Sequence, residues 1–411
     1  MSFESFNLNP SIMSGVHELG YVTPTPIQLK AIPPIMQGRD LIGLAQTGTG
    51  KTAAFVLPVL QRLLSGARGR VRALIISPTR ELAEQTSEAA ADLGRYTGLR
   101  SVSIYGGVGM DQQTRRVRDG VDIVVACPGR LLDHLWKGTV DLSHLEVLVI
   151  DEADRMFDMG FLPDVRSILQ CILQEHQTLL FSATMPDDIR RLVKEVLRNP
   201  VTVQIGRTAP VASVSHALYP VKQHLKTALL LHLLRRTQTE SVLVFTRTKH
   251  RAERLAQALT RAGYRAASLQ GDLSQCQRQA ALDGFRTGVH KILVATDIAG
   301  RGIDILRISH VINYDMPGSA DDYTHRIGRT GRVDNTGTAF TFVTPEDATM
   351  VRALERLLNT TIERRTLSDF DYSVPARDQS KRPPYPSRHP RATSSWLAAS
   401  QQRVKPSSQP A

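Results

Sequence analysis

Short β-branched apolar runs recur along this chain, separated by longer stretches with helical spacing. Leu41–Ala45, Ala73–Ser77, Asp122–Ala126, Val147–Ile150 and Leu179–Ser182 each read as a buried strand. Arg80–Gly94 and Pro163–Gln174 read as helices between them. Such alternation predicts a parallel sheet with helices covering both faces. The pattern then restarts, with Val242–Phe245, Ala266–Leu269, Lys291–Val294 and His310–Asn313 as strands and Lys249–Ala262 as a helix. Residues 206–215, small, polar and broken by Pro210, read as a linker. The expected fold class is α/β, with parallel-sheet domains over 1–205 and 216–370, in keeping with a length of 411 residues. From Asp371 onward, seven prolines and eight serines with little apolar content predict a disordered basic tail, 371–411.

Composition narrows the function. With 51 Lys+Arg against 39 Asp+Glu, the formal charge is +12, and a basic surface favours phosphate polymers through counterion release. A hydrophobic share of 41% leaves enough to build cores outside the tail. No run approaches the ~18 apolar residues of a membrane span, so no membrane association is expected. Met1–Ser5 has neither the basic nor the apolar part of a secretory leader. Cys127, Cys171 and Cys276 stand singly, which excludes a disulfide framework and a cysteine-based zinc site.

Three segments carry chemistry. Ala45-Gln46-Thr47-Gly48-Thr49-Gly50-Lys51-Thr52 follows a strand and opens a helix, the pattern of a phosphate-binding loop. Its glycines let backbone N–H groups wrap phosphates at the positive end of the helix, where Lys51 reaches the phosphates and Thr52 holds Mg²⁺. Asp151-Glu152-Ala153-Asp154 follows the strand 147–150, at the edge where open α/β sheets bind ligands. There Asp151 suits the metal, and Glu152 suits orienting or deprotonating a water. Upstream, Gly20–Gln28 offers a glutamine amide that matches the N6/N7 edge of adenine, and Tyr21 as a stacking ring.

With these in view, the sequence resembles the DEAD-box RNA helicases, ATP-dependent enzymes with two RecA-like domains, and within them the bacterial RhlE type. The resemblance spans about residues 3–367. Phe3 matches an isolated aromatic ahead of the adenine-sensing motif Gly20–Gln28. Pro78-Thr79-Arg80-Glu81-Leu82, Gly106-Gly107 and Pro128-Gly129-Arg130 match RNA contacts of the first domain, and Ser182-Ala183-Thr184 matches the segment coupling hydrolysis to unwinding. In the second domain, Gln275 and Arg278 match a further RNA element, and Thr296 another RNA contact. Arg301 and Asp304 match residues on the adenosine. His325 to Arg332 matches the last motif: Arg329 and Arg332 would be fingers on the γ-phosphate, and His325, Arg326 and Asp154 would join the coupling machinery. Three positions depart from the family pattern: Cys127 for Thr, Gln270 for His and Gly300 for Ala.

The resemblance implies RNA-stimulated ATP hydrolysis with ATP and Mg²⁺, driving local, non-processive unwinding of short RNA duplexes or remodelling of RNA–protein complexes. It implies sequence-independent RNA binding through the backbone, a monomer, and a cytoplasmic setting. Ribosome precursors or RNA-decay proteins are candidate partners for the tail. An ATP-locked RNA clamp and a DNA-directed helicase are the competing readings.

Overall fold

A computed structural model describes residues 2–46, 48–205, 214–237, 240–300, 308–330 and 337–375, except the side chains of 298, 300 and 321. Contacts divide the chain into Met1–Tyr372 and Ser373–Ala411. Most of the second unit, including the basic tail from residue 376, lies outside the described residues, as does linker 206–213.

The first unit contains two seven-stranded sheets whose pairings are all parallel. The first consists of β1 (Leu41–Leu44), β2 (Ala73–Ile76), β3 (Ser101–Ile104), β4 (Ile123–Ala126), β5 (Val147–Ile150), β6 (Gln177–Ser182) and β7 (Val201–Gln204), in the order β3-β4-β2-β5-β6-β1-β7. The second consists of β8 (Val214–Pro220), β9 (Val242–Thr246), β10 (Ala266–Leu269), β11 (Ile292–Thr296), β12 (His310–Asn313), β13 (Gly337–Val343) and β14 (Glu363–Arg364). Their order is β10-β11-β9-β12-β13-β8-β14. Both lobes are parallel α/β units, as the apolar runs predict.

Burial explains why β2 carries no polar face. Along β2, Ala73 and Ile75 join one hydrophobic cluster while Leu74 and Ile76 join another on the opposite face. Successive side chains point to opposite faces, so a sheet covered twice needs apolar residues at every position. The linker expectation is corrected at its end. Val214 and Ser215 already belong to β8, paired with Gly337 and Thr338, because β8 needs them to span the length of β13. Among the described residues, no helix is long and apolar enough to cross a membrane.

Parallel strands place all their C-terminal ends at one edge of each sheet. Five sequence motifs therefore converge: β1 leads into the phosphate loop, β2 into Pro78–Arg80, β4 into Pro128–Arg130, β5 into Asp151–Asp154 and β6 into Ser182–Thr184.

Candidate nucleotide and RNA site between two lobes

The phosphate loop is shaped by its glycines. Gly48 and Gly50 have φ of 84° and 92°, in the left-handed region that favours glycine. At Gly50 a Cβ would also lie 2.6 Å from Gln28 Nε2 and 2.9 Å from Thr25 Oγ1. Gln28 is the third residue of the helix Pro26–Met36 and forms a capping box with Thr25. Its Oε1 accepts from Thr25 N at 2.8 Å, and its Nε2 donates to Gly50 O at 3.1 Å. The amide expected to read adenine is thus also a brace for the phosphate loop. Phe3 is buried and packs against Tyr21 with ring centroids 5.9 Å apart, so it backs the more exposed ring.

Lys51 bends back over its own loop, donating from Nζ to Ala45 O at 3.0 Å, and Thr49 Oγ1 donates to Gln46 O at 2.7 Å. Asp151 is buried and its Oδ1 has no hydrogen-bond partner. Burial pushes its carboxyl up to about 7, against the pull of the neighbouring Lys51. An orphaned buried carboxylate oxygen is costly unless a cation answers it. Asp151 with Thr52 on the first helical turn therefore fits Mg²⁺. Among the described residues no group of three His, Cys, Asp or Glu forms a protein-only metal cage. A Mg²⁺ that keeps waters and substrate phosphates as its other ligands needs none.

Glu152 has φ 51° and ψ 53°, left-handed for a non-glycine residue, and is buried. Its Oε2 accepts from Arg155 Nη1 in an ion pair whose side chains are both 3% exposed. Asp154 faces the other way. Its Oδ2 accepts from Ala183 N (3.1 Å), Thr184 N (2.9 Å) and Thr184 Oγ1 (3.1 Å). Ser182 Oγ accepts from Asp154 N at 3.2 Å and donates to Thr184 O at 2.7 Å. The acidic segment and the Ser-Ala-Thr segment form one hydrogen-bonded unit.

The second lobe reaches this unit through the helix Ala320–Ile327 and the turn after it. His325 is driven down to about 4, first by burial and then by Arg155. A cavity of about 890 Å³ has Ala45, Gln46 and Thr184 on one side and His325 and Gly328 on the other. Arg329 is 2% exposed, and its Nε donates to His325 O at 3.2 Å.

Arg326 lies within the helix Ala320–Ile327, and Arg329 in the turn after it. Its Nε and Nη2 grip both oxygens of Asp297 (2.6 and 2.8 Å), and its Nη1 donates to Asn313 Oδ1 and Asp315 O. Those bonds tie the last motif to the segment after β11. Thr47, Arg301, Asp304 and Arg332 lie outside the described residues.

The residues matched to RNA form a second cluster. Thr79 caps the helix Arg80–Leu93, its Oγ1 accepting from Leu82 N at 3.3 Å. Arg80 passes so close to Gly107 that a Cβ there would lie 2.2 Å from Nη1. Across the lobes, Arg80 Nη1 donates to Gln275 Oε1 at 3.4 Å. Arg130 Nη1 donates to Val108 O at 3.0 Å, beside Gly106 and Gly107, while Pro128 and Gly129 open the helix Pro128–Trp136. Thr296 ends β11. Arg278 Nε donates to Glu81 Oε1 at 2.7 Å, and its Nη1 to Gln270 O at 3.2 Å. Arg278 is thus a lobe-to-lobe strut, and its partner Glu81 belongs to the Pro78–Leu82 segment matched to RNA contacts.

The departures are accommodated. Gln270 Oε1 accepts from Asp272 N at 2.6 Å and fixes the turn after β10. Burial pushes the Cys127 thiol up to about 12, so it stays protonated. Gly300 lies at the end of the short helix Asp297–Gly300.

Known proteins match along nearly the whole chain. The DEAD/DEAH box helicase model matches residues 25–192, and the helicase conserved C-terminal domain model matches 225–334. The chain is 40% identical over 380 residues to the DEAD-box ATP-dependent RNA helicase CshA of Bacillus subtilis, covering 92% of this chain and 77% of CshA. It is 40% identical over 363 residues to RhpA of Helicobacter pylori, covering 88% and 73%. The structure of Dbp5 of S. cerevisiae bound to RNA and ADP BeF3 superposes with a TM-score of 0.81 at 29% identity, covering 89% of this chain and 95% of that one. With two parallel-sheet lobes carrying these motifs in order, this chain belongs to the DEAD-box helicase family.

Proposed function

We propose that this protein is an RNA-stimulated ATPase that opens short RNA duplexes or remodels RNA–protein complexes, by local separation and not by translocation. One observation carries the reading: Ala45, Gln46 and Thr184 of lobe 1 and His325 of lobe 2 line one cavity, and Arg329 is bonded to His325 O. Hydrolysis needs charge compensation that lobe 1 does not supply alone.

Lys51 leaves Ala45 O for the phosphates, and the loop amides beside Gly48 and Gly50 cradle them. Glu152 orients the attacking water. Thr52 and Asp151 would hold Mg²⁺, which when bound neutralises charge on the phosphate oxygens. Arg329, together with Arg332, brings positive charge to the transferred group, an effect worth about 10³–10⁵ in rate. Tyr21 and Gln28 hold the adenine, with Arg301 and Asp304 on the adenosine. Asp154, Ser182 and Thr184 link the acidic segment to the end of β6, so closure over nucleotide is felt at the RNA side.

Arg80, Arg130 and the loops of Gly106, Gly107 and Pro128 grip phosphates without reading bases. RNA bridging both lobes favours the closed arrangement. Stacking is worth about 1.4 kcal/mol per base-pair step, so four or five pairs cost roughly 6–7 kcal/mol, within reach of one closure. The RhlE-type assignment rests on the motifs alone, and the tail is a tether for ribosome precursors or RNA-decay proteins. Steady-state ATPase assays over a wide RNA titration test the reading. Strong stimulation by RNA and weak stimulation by DNA at the same salt support it; equal rates with and without RNA refute it.

A further inference from the structure

Arg155 has no role in the scheme above, yet it is among the most enclosed charges in the molecule. Its side chain is 3% exposed, and of its guanidinium nitrogens only Nη1 has a hydrogen-bond partner: Glu152 Oε2. Nε and Nη2 are buried with none among the described residues. Each buried N–H left unmade costs on the order of 1–3 kcal/mol, so the guanidinium is held there at a cost. What the guanidinium supplies in return is a grip on one carboxylate.

That carboxylate needs one. Glu152 sits at φ 51° with a left-handed backbone, outside the helix Ala153–Asp158 that follows it. Its backbone is held by Arg155 N and Met156 N, which donate to Glu152 O at 3.0 and 3.1 Å. Arg155 N also donates to Asp154 Oδ1 at 3.1 Å, so the arginine is fixed by the same turn it braces. From the second lobe, His325 feels the positive charge of Arg155, which adds to burial in keeping the imidazole neutral. Arg155 thus acts on both Glu152 and His325 of lobe 2.

We propose that Arg155 is a positioning residue for Glu152: it pins one carboxylate oxygen and so fixes the orientation in which the carboxylate meets the attacking water when lobe 2 closes. The inference rests on Glu152 being the water-orienting group of the proposed ATPase. A carboxylate that aids proton removal contributes about 10²–10⁴ in rate, and losing its orientation forfeits part of that.

The test uses the full chain at saturating RNA, with Arg155→Met, Arg155→Lys, Glu152→Gln and the Glu152→Gln/Arg155→Met double variant. Arg155→Met is expected to lower kcat about 10–100-fold, a share of that contribution. Its KM for ATP and its affinity for a fluorescent ATP analogue should stay within about threefold, since binding groups are untouched. Arg155→Lys, which keeps the charge, should recover part of the lost rate. The double variant should be no slower than Glu152→Gln alone, because residues acting through one another are not additive.

A normal kcat in Arg155→Met, or a double variant slower than Glu152→Gln by the full Arg155→Met factor, overturns the inference while the proposed function stands. A normal kcat in Glu152→Gln overturns the reading of Glu152 and this inference with it. Should Arg155→Met melt below the assay temperature, the same kcat, KM and binding comparison in Arg155→Lys decides the matter.

Discussion

Arg278 and Glu81, 197 residues apart in sequence and on different lobes, form an ion pair with Nε 2.7 Å from Oε1. Their side chains are 11% and 4% exposed. Breaking one half of a buried pair leaves the other charge uncompensated, at about 3–5 kcal/mol. Glu81→Gln should therefore favour separated lobes. Interlobe fluorescence transfer with RNA and a non-hydrolysable nucleotide should fall, and the RNA concentration for half-maximal ATPase should rise. Replacing both residues with Gln should recover much of the loss. Unchanged transfer in Glu81→Gln would mean the pair does not hold the closed form.

Gly107→Ala probes the RNA side. At φ 87° alanine is strained, and its Cβ would meet Arg80 Nη1 at 2.2 Å. Arg80 must then move. RNA affinity, measured by fluorescence anisotropy, should fall about tenfold, equivalent to about 1.4 kcal/mol. Nucleotide affinity without RNA should stay unchanged.

Gln28→Ala removes the bonds to Thr25 N and Gly50 O. At about 0.5–1.5 kcal/mol each, their loss should raise the KM for ATP about tenfold. Stopped-flow binding should assign the change to the phosphate loop as well as the base: ADP affinity and AMP affinity should differ in their response, with ADP weakened more.

His325 gives the closed site a pH dependence. Its folded value, about 4, lies below the ordinary 6.5 of histidine. The unfolded chain therefore binds this proton first as pH falls. The associated stability is present above pH 6.5 and is lost between there and pH 4. Thermal melts at pH 7, 5.5 and 4.5 should fall less steeply for His325→Gln than for the natural chain. Parallel melting curves would remove His325 from the acid response.

The legible parts of this molecule are those set by local sequence. Ala73–Ile76 could be read because every position is apolar, and the phosphate loop because glycine spacing, lysine and threonine are contiguous. β13 was missed: Gly337, Thr338 and Thr341 dilute its apolar character, and pairing with both β12 and β8 makes it a strand. Arg326 gives no sign in the sequence of a partner outside its own motif. Ser319 Oγ, accepting from Asp322 N at 3.0 Å, starts a helix there, and Asp297, nearly thirty residues earlier, captures the guanidinium. Arg155 gives no signal for the same reason, and Glu81 is legible only as part of the Pro78–Leu82 match, since neither sequence neighbourhood reveals a partner on another turn or another lobe.

The account depends on positive charge from lobe 2 reaching a nucleotide held by lobe 1. The kcat of Arg329→Ala at saturating RNA and ATP tests this most directly. A fall of about 10³ with ATP affinity nearly unchanged is the predicted result. A kcat within a few-fold of the natural chain, in a variant that still binds RNA and melts normally, would contradict it.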